Sequence, residues 1–128
     1  MKPETEEWIT KAEGDLRTAV RESTANESPN YDAACFHAQQ CAEKYLKARL
    51  VEGGYPVPKI HDLDALLNRV LTLEPSWGIL REGLQQLTDM AVEIRYPGLT
   101  ADADDAELAI QVASHSRKLA RIALQMTA

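Results

Sequence analysis

Along the chain, apolar residues recur every three or four positions in five separate stretches, and no stretch reads convincingly as a strand. The first runs from about Glu4 to Arg21, with Trp8, Ala12, Leu16, Ala19 and Val20 as its stripe. Pro3 and the acids Glu4, Glu6 and Glu7 suit a helix start, where negative side chains meet the positive end of the dipole. A polar loop from Thr24 to Asn30 follows, and a second helix then covers about Tyr31 to Glu52, stopped by Gly53-Gly54. Pro56 and Pro58 make Tyr55 to Ile60 an extended crossing. A third helix, about Asp62 to Leu73, turns Leu63, Leu66, Leu67, Val70 and Leu71 inward. After the break at Pro75-Ser76, a fourth helix runs from about Trp77 to Ile94 on Leu80, Leu84, Leu87, Ala91 and Ile94, and Pro97 ends it. The fifth begins near Asp102 to Asp105, with Leu108, Val112, His115, Leu119, Ile122 and Met126 on its seam. The pattern predicts an all-α protein, an antiparallel up-and-down bundle of about five helices, forming one domain over residues 1–128.

The second helix departs from a simple core-filling pattern. Alanines at 33, 34, 38, 42 and 48 and cysteines at 35 and 41 invite close approach by a neighbour. His37, Gln39, Gln40, Glu43, Lys44 and Lys47 share the same segment. Composition is that of a globular chain, 27% charged and 45% hydrophobic. No apolar run of membrane-spanning length occurs, and the acidic, polar N-terminus is unlike a secretory signal, so a cytoplasmic location is expected. The net charge of −6 disfavours generic DNA or RNA coating and leaves room for a local basic site. Cys35 and Cys41, six apart, point about 240° away from each other around a helix and cannot bridge, which suits buried thiols. Neither a metal-ligand spacing nor a glycine-rich phosphate loop is present, so no metal site and no cofactor are expected.

The short motifs together resemble those of the HEPN domains, small all-helical prokaryotic proteins of the type paired with minimal nucleotidyltransferases. They are Trp8, Lys11-Ala12-Glu13, Asp15-Leu16, then Ala38-Gln39-Gln40, Ala42-Glu43-Lys44, Leu46-Lys47-Ala48, His61-Asp62-Leu63 and Arg95-Tyr96-Pro97. The resemblance covers nearly the whole chain. It implies a homodimer with a polar cleft for nucleotide or RNA, and a toxin–antitoxin-like pairing with a nucleotidyltransferase. Ribonuclease members of that family carry an arginine five to seven positions before a histidine. Here Arg21, Arg49 and Arg95 lie sixteen, twelve and twenty positions before His37, His61 and His115, so the motif is absent and the reading leans away from an enzyme.

Several residues carry candidate chemistry. On the second helix His37, Gln40 and Lys44 share an arc of about 60°, with Lys47 at its edge, which reads as a phosphate-binding strip or as a solvated face with an i,i+4 Glu43–Lys47 pair. His61 could serve as an adjustable proton donor, or it and Asp62 could cap the third helix. Arg95 could grip a phosphate and Tyr96 stack a base, or Arg95 could complement a helix end. His115 reads as a core or interface residue, and Asp15 as either an exposed acid or an orienting partner across the bundle. The expected function is a nucleotide- or RNA-binding regulatory module. The alternatives are a metal-independent ribonuclease in which His61 and Arg95 meet in space, and a purely structural dimerisation module.

Overall fold

The computed structural model describes residues 1–126; residues 127 and 128 of the range read as one domain lie outside the described residues. Helix α1 spans Pro3–Thr24, α2 Tyr31–Glu52, α3 Leu63–Val70, α4 Arg81–Glu93 and α5 Ala103–Ala123, with a 3-10 turn at Pro75–Leu80. No strand occurs among the described residues. Each boundary has a local cause. Asn30 accepts from the Ala33 N–H to start α2, Asp62 accepts from Asp64 and Ala65 to start α3, and Asp102 and Asp105 form a reciprocal capping box on α5. Gly54, at φ +86°, takes the left-handed conformation that lets the chain leave α2 sharply.

Direction can be read from the cross-helix pairs. Thr5 meets Glu52, Glu13 meets Tyr45 and Asp15 meets His37, so α1 and α2 run antiparallel. Ala91, Ile94 and Arg95 line a cleft with Asn30, Ala33 and Phe36, so α4 ends where α2 begins. Asp32 at the start of α2 accepts from the Ala101 N–H just before α5. Helix α2 is the spine: α1, α3, α4 and α5 all pack on it, and its Ala34, Ala38, Cys41, Ala42, Tyr45, Leu46 and Ala48 are fully enclosed or nearly so.

Four expectations need correction. The third helix is shorter than Asp62 to Leu73, because residues 71–73 form turns after Val70. The fourth does not begin at Trp77 as an α-helix; Pro75 and Ser76 open a tighter 3-10 segment that buries Trp77 and Leu80 before α4 starts. On α5 the seam is displaced. Its buried line is Ala106, Ala109, Ala113, Ser116 and Ala120, with Val112 beside it, whereas His115 and Ile122 are exposed. Small residues allow α5 to lie close against α2, and the larger Leu108, Leu119 and Met126 pack on the flanks of that contact. Val20 of α1 is likewise exposed; at that end of the helix Ala19 faces inward, and Thr5 and Ile9 complete the buried stripe toward the other end.

Candidate functional site

The α1–α2 contact concentrates the polar chemistry. On α1, Ala12 and Ala19 face inward, and Glu13 and Asp15 flank that stripe on opposite sides, about 100° and 60° from it. Asp15 takes up two partners on α2: His37 Nδ1 at 2.8 Å and Lys44 Nζ at 2.5 Å. His37 and Lys44 are partly exposed, and Gln40 lies between them on the same face. The Asp15 carboxylate therefore fixes the imidazole orientation through Nδ1 and leaves Nε2 as the ring's other exchangeable position. The orienting role for Asp15 is the one the geometry supports. Neither Tyr96 nor Arg95 has a side-chain partner among the described residues, and both are exposed beyond the end of α4.

Around Glu43 a second cluster is largely enclosed. Lys47 Nζ donates to Glu43 Oε2 at 3.1 Å, one turn along α2, and sits 5.4 Å from the centre of the Trp8 ring. His61 Nδ1 reaches the same carboxylate oxygen at 3.0 Å. The lysine side chain is only 5% exposed, whereas His61 is 80% exposed. Glu43 Oε1 is buried with no hydrogen-bond partner among the described residues. Lys47 is thus not at the edge of a surface strip: it is a buried ion-pair partner, its ammonium held between a carboxylate and an aromatic face. Asp62, not His61, caps α3.

Glu13 anchors a third cluster. It accepts from the Tyr45 hydroxyl and from Arg117 Nε at 2.6 Å, with Arg121 at 3.6 Å. Burial pushes the Glu13 carboxyl upward, but the hydrogen bonds from Tyr45 and Arg117 and the charges of Arg117 and Arg121 outweigh it and hold the group below the usual range. The Tyr45 phenol is raised, by burial first and then by its bond to Glu13. Sequence reasoning passed over this cluster. Its only linear signals were the pair Arg117 and Arg121 one turn apart and an acid beside Asp15.

His61 and Arg95 do not come together. His61 contacts Glu43 midway along α2, while Arg95 lines the cleft at residues 30–36, about 10 Å or more away along the helix axis. A cleavage site built from those two residues has no geometric basis. Among the described residues no cluster of His, Cys, Asp and Glu could hold a metal ion, and no helix is long and apolar enough to cross a membrane.

Five helices in this arrangement, with α2 enclosed by the others, match a known family: the model of the HEPN domain aligns with residues 5–122. The chain belongs to the HEPN domain family. A solved structure, that of ST0689, described as an archaeal HEPN homologue, is similar over 94% of this chain and 97% of that one, with 27% identity and a TM-score of 0.67. No curated protein matches the chain by sequence. Both the fold expected from the helical periodicity and the family suggested by the short motifs are thereby established for this HEPN domain.

Proposed function

We propose that this HEPN domain is a nucleotide- or RNA-binding regulatory module that works with a minimal nucleotidyltransferase partner in a toxin–antitoxin-like system. The observation that carries the binding site is the Asp15 clamp on His37 and Lys44, which sets a cation and an oriented imidazole side by side on the partly exposed face of α2. Lys44 supplies the phosphate contact, with Gln40 a directional hydrogen bond between the two. Arg95 and Tyr96 extend the surface with a guanidinium and an exposed ring that can stack a base. His61, exposed and anchored only through Nδ1, remains available as a proton donor.

Amide-shift NMR titration with ATP, and separately with a short single-stranded RNA, tests the site. Saturable shifts are expected at His37, Gln40 and Lys44. Lys44→Ala should weaken binding about tenfold, the equivalent of losing one charge-assisted contact. No saturable shift at millimolar ligand would retire the site and leave a structural dimerisation module as the better reading. Co-purification with a co-expressed minimal nucleotidyltransferase tests the partnership, and its failure would leave the ligand site standing on its own.

A further inference from the structure

Away from that site, on the Glu13 flank of α1, a groove of about 450 Å³ runs between α1 and α5. Arg17, Arg21 and Arg117 line it together with Leu16, Val20 and Glu13. Glu13 is already committed to Tyr45, Arg117 and Arg121, so one carboxylate serves two guanidiniums. Arg17 and Arg21 have no side-chain hydrogen bond or ion pair among the described residues. Each helix therefore contributes two arginines one turn apart, Arg17 with Arg21 and Arg117 with Arg121; Glu13 answers the α5 pair, and no side chain among the described residues answers the α1 pair.

Like charges at that spacing repel on a helix surface, and the Arg117 guanidinium on the facing wall of the groove adds to the cost. Among the described residues the fold supplies no carboxylate to Arg17 or Arg21. Arg21, in the last turn of α1, gains from the helix dipole, but Arg17 does not share that benefit. In a chain of net charge −6 the excess of positive charge here is local. The missing element is a compact, multivalent anion.

We infer that the α1–α5 groove binds an oligophosphate, a chain of linked phosphate groups, with Arg17, Arg21 and Arg117 gripping its oxygens. Guanidinium forks match phosphate oxygens in pairs, and helix neighbours one turn apart stand about 5–6 Å from each other, suited to successive groups of one short chain. The groove volume falls in the range of small-ligand sites, about 300–1,000 Å³. An acidic peptide, with its carboxylates dispersed along a backbone, fits such a space less well. Leu16 and the exposed Val20 provide an apolar surface for whatever body carries the phosphates. The oligophosphate could be free or could be the tail of a nucleotide or of a 5′-triphosphorylated RNA.

Inorganic triphosphate titrated into the full chain, followed through arginine Nε–Hε resonances, tests the assignment. Saturable shifts at Arg17, Arg21 and Arg117 are expected, and Arg17→Gln with Arg21→Gln should weaken binding at least about tenfold while leaving the thermal midpoint close to wild type. Lys118→Gln, which removes an exposed cation elsewhere on α5, should change affinity less than about twofold. ATP and a 5′-triphosphorylated oligonucleotide, run alongside, identify the source. Equal affinity to triphosphate means that the phosphate chain alone is read, and a gain means that Leu16 and Val20 take the body. Either result supports the groove. Identical shifts with sulfate at matched ionic strength, shifts confined to α2, or undiminished affinity in the double variant would overturn it. So would a groove that answers to an acidic peptide and not to triphosphate.

Discussion

Cys35 and Cys41 are buried and unbridged, and their surroundings make them poor nucleophiles. Burial, reinforced by the carboxylates of Asp105, Asp32 and Asp102, pushes the Cys35 thiol up to about 11. Burial, with Glu13 and Asp15 nearby, pushes Cys41 up to about 12. Since the thiolate is the reactive form, both should resist a disulfide reagent such as DTNB at pH 8 in the native protein and react promptly once it is unfolded. Rapid native-state labelling of either would contradict this placement. At the residue level, linear spacing foretold the unbridged thiols, offered the i,i+4 Glu43–Lys47 pair as one of two readings, and left the α3 cap between His61 and Asp62. It did not foretell that Lys47 would be enclosed, because that depends on Trp8 arriving from another helix. Nor could it place His61 apart from Arg95, since the proline crossing that carries His61 has no periodicity from which to read its path.

Between elements, the Glu43–Lys47 pair joins three segments: α2 supplies both charges, α1 the Trp8 ring and the approach to α3 the His61 ring. A buried ion pair is costly to break and cheap to replace as a unit. Lys47→Ala, leaving Glu43 without its buried cation and with one oxygen already orphaned, should destabilise the fold by about 3–5 kcal/mol in urea unfolding. Glu43→Leu combined with Lys47→Met should cost less than that single change, and an equal or larger loss would argue against the pair as the source of the effect. The displaced seam of α5 belongs to this scale as well. Periodicity placed the helix and its start correctly. Ranking positions by hydrophobicity then selected Leu108, Leu119 and Ile122, whereas close helix contact selects Ala109, Ala113 and Ala120. The same bias gave Val20 an inward place, whereas its small neighbour Ala19 is the residue buried there.

Across the whole molecule, stability should depend on pH through carboxylates that the fold holds in their charged form. Glu52 lies below its ordinary range, chiefly because the Lys2 backbone N–H and then the Thr5 hydroxyl donate to it. Glu13 is lowered too, its hydrogen bonds and arginine neighbours overcoming burial. A lowered carboxyl contributes its full stabilisation above the unfolded-state value, about 4.3, and loses it as pH falls through the folded-state value. Denaturant midpoints should therefore hold steady from neutral pH to about pH 5 and decline below that. Glu13→Gln should flatten part of the decline, and an unchanged acid limb in that variant would remove Glu13 from the account.

The enclosure of α2 also bears on the order in which the chain assembles. Helices α1 and α2 are consecutive and joined only by residues 25–30, whereas α5 must return to meet them, with Glu13 and Arg117 separated by 104 positions. Short loops close at lower entropic cost than long ones, so the α1–α2 hairpin is the natural nucleus and α5 the late arrival. Stopped-flow kinetics would register the distinction. Ala38→Gly on the spine should chiefly slow folding, and Ala109→Gly on α5 should chiefly hasten unfolding. The helix most thoroughly hidden in the finished protein would then be among the first parts of it to exist.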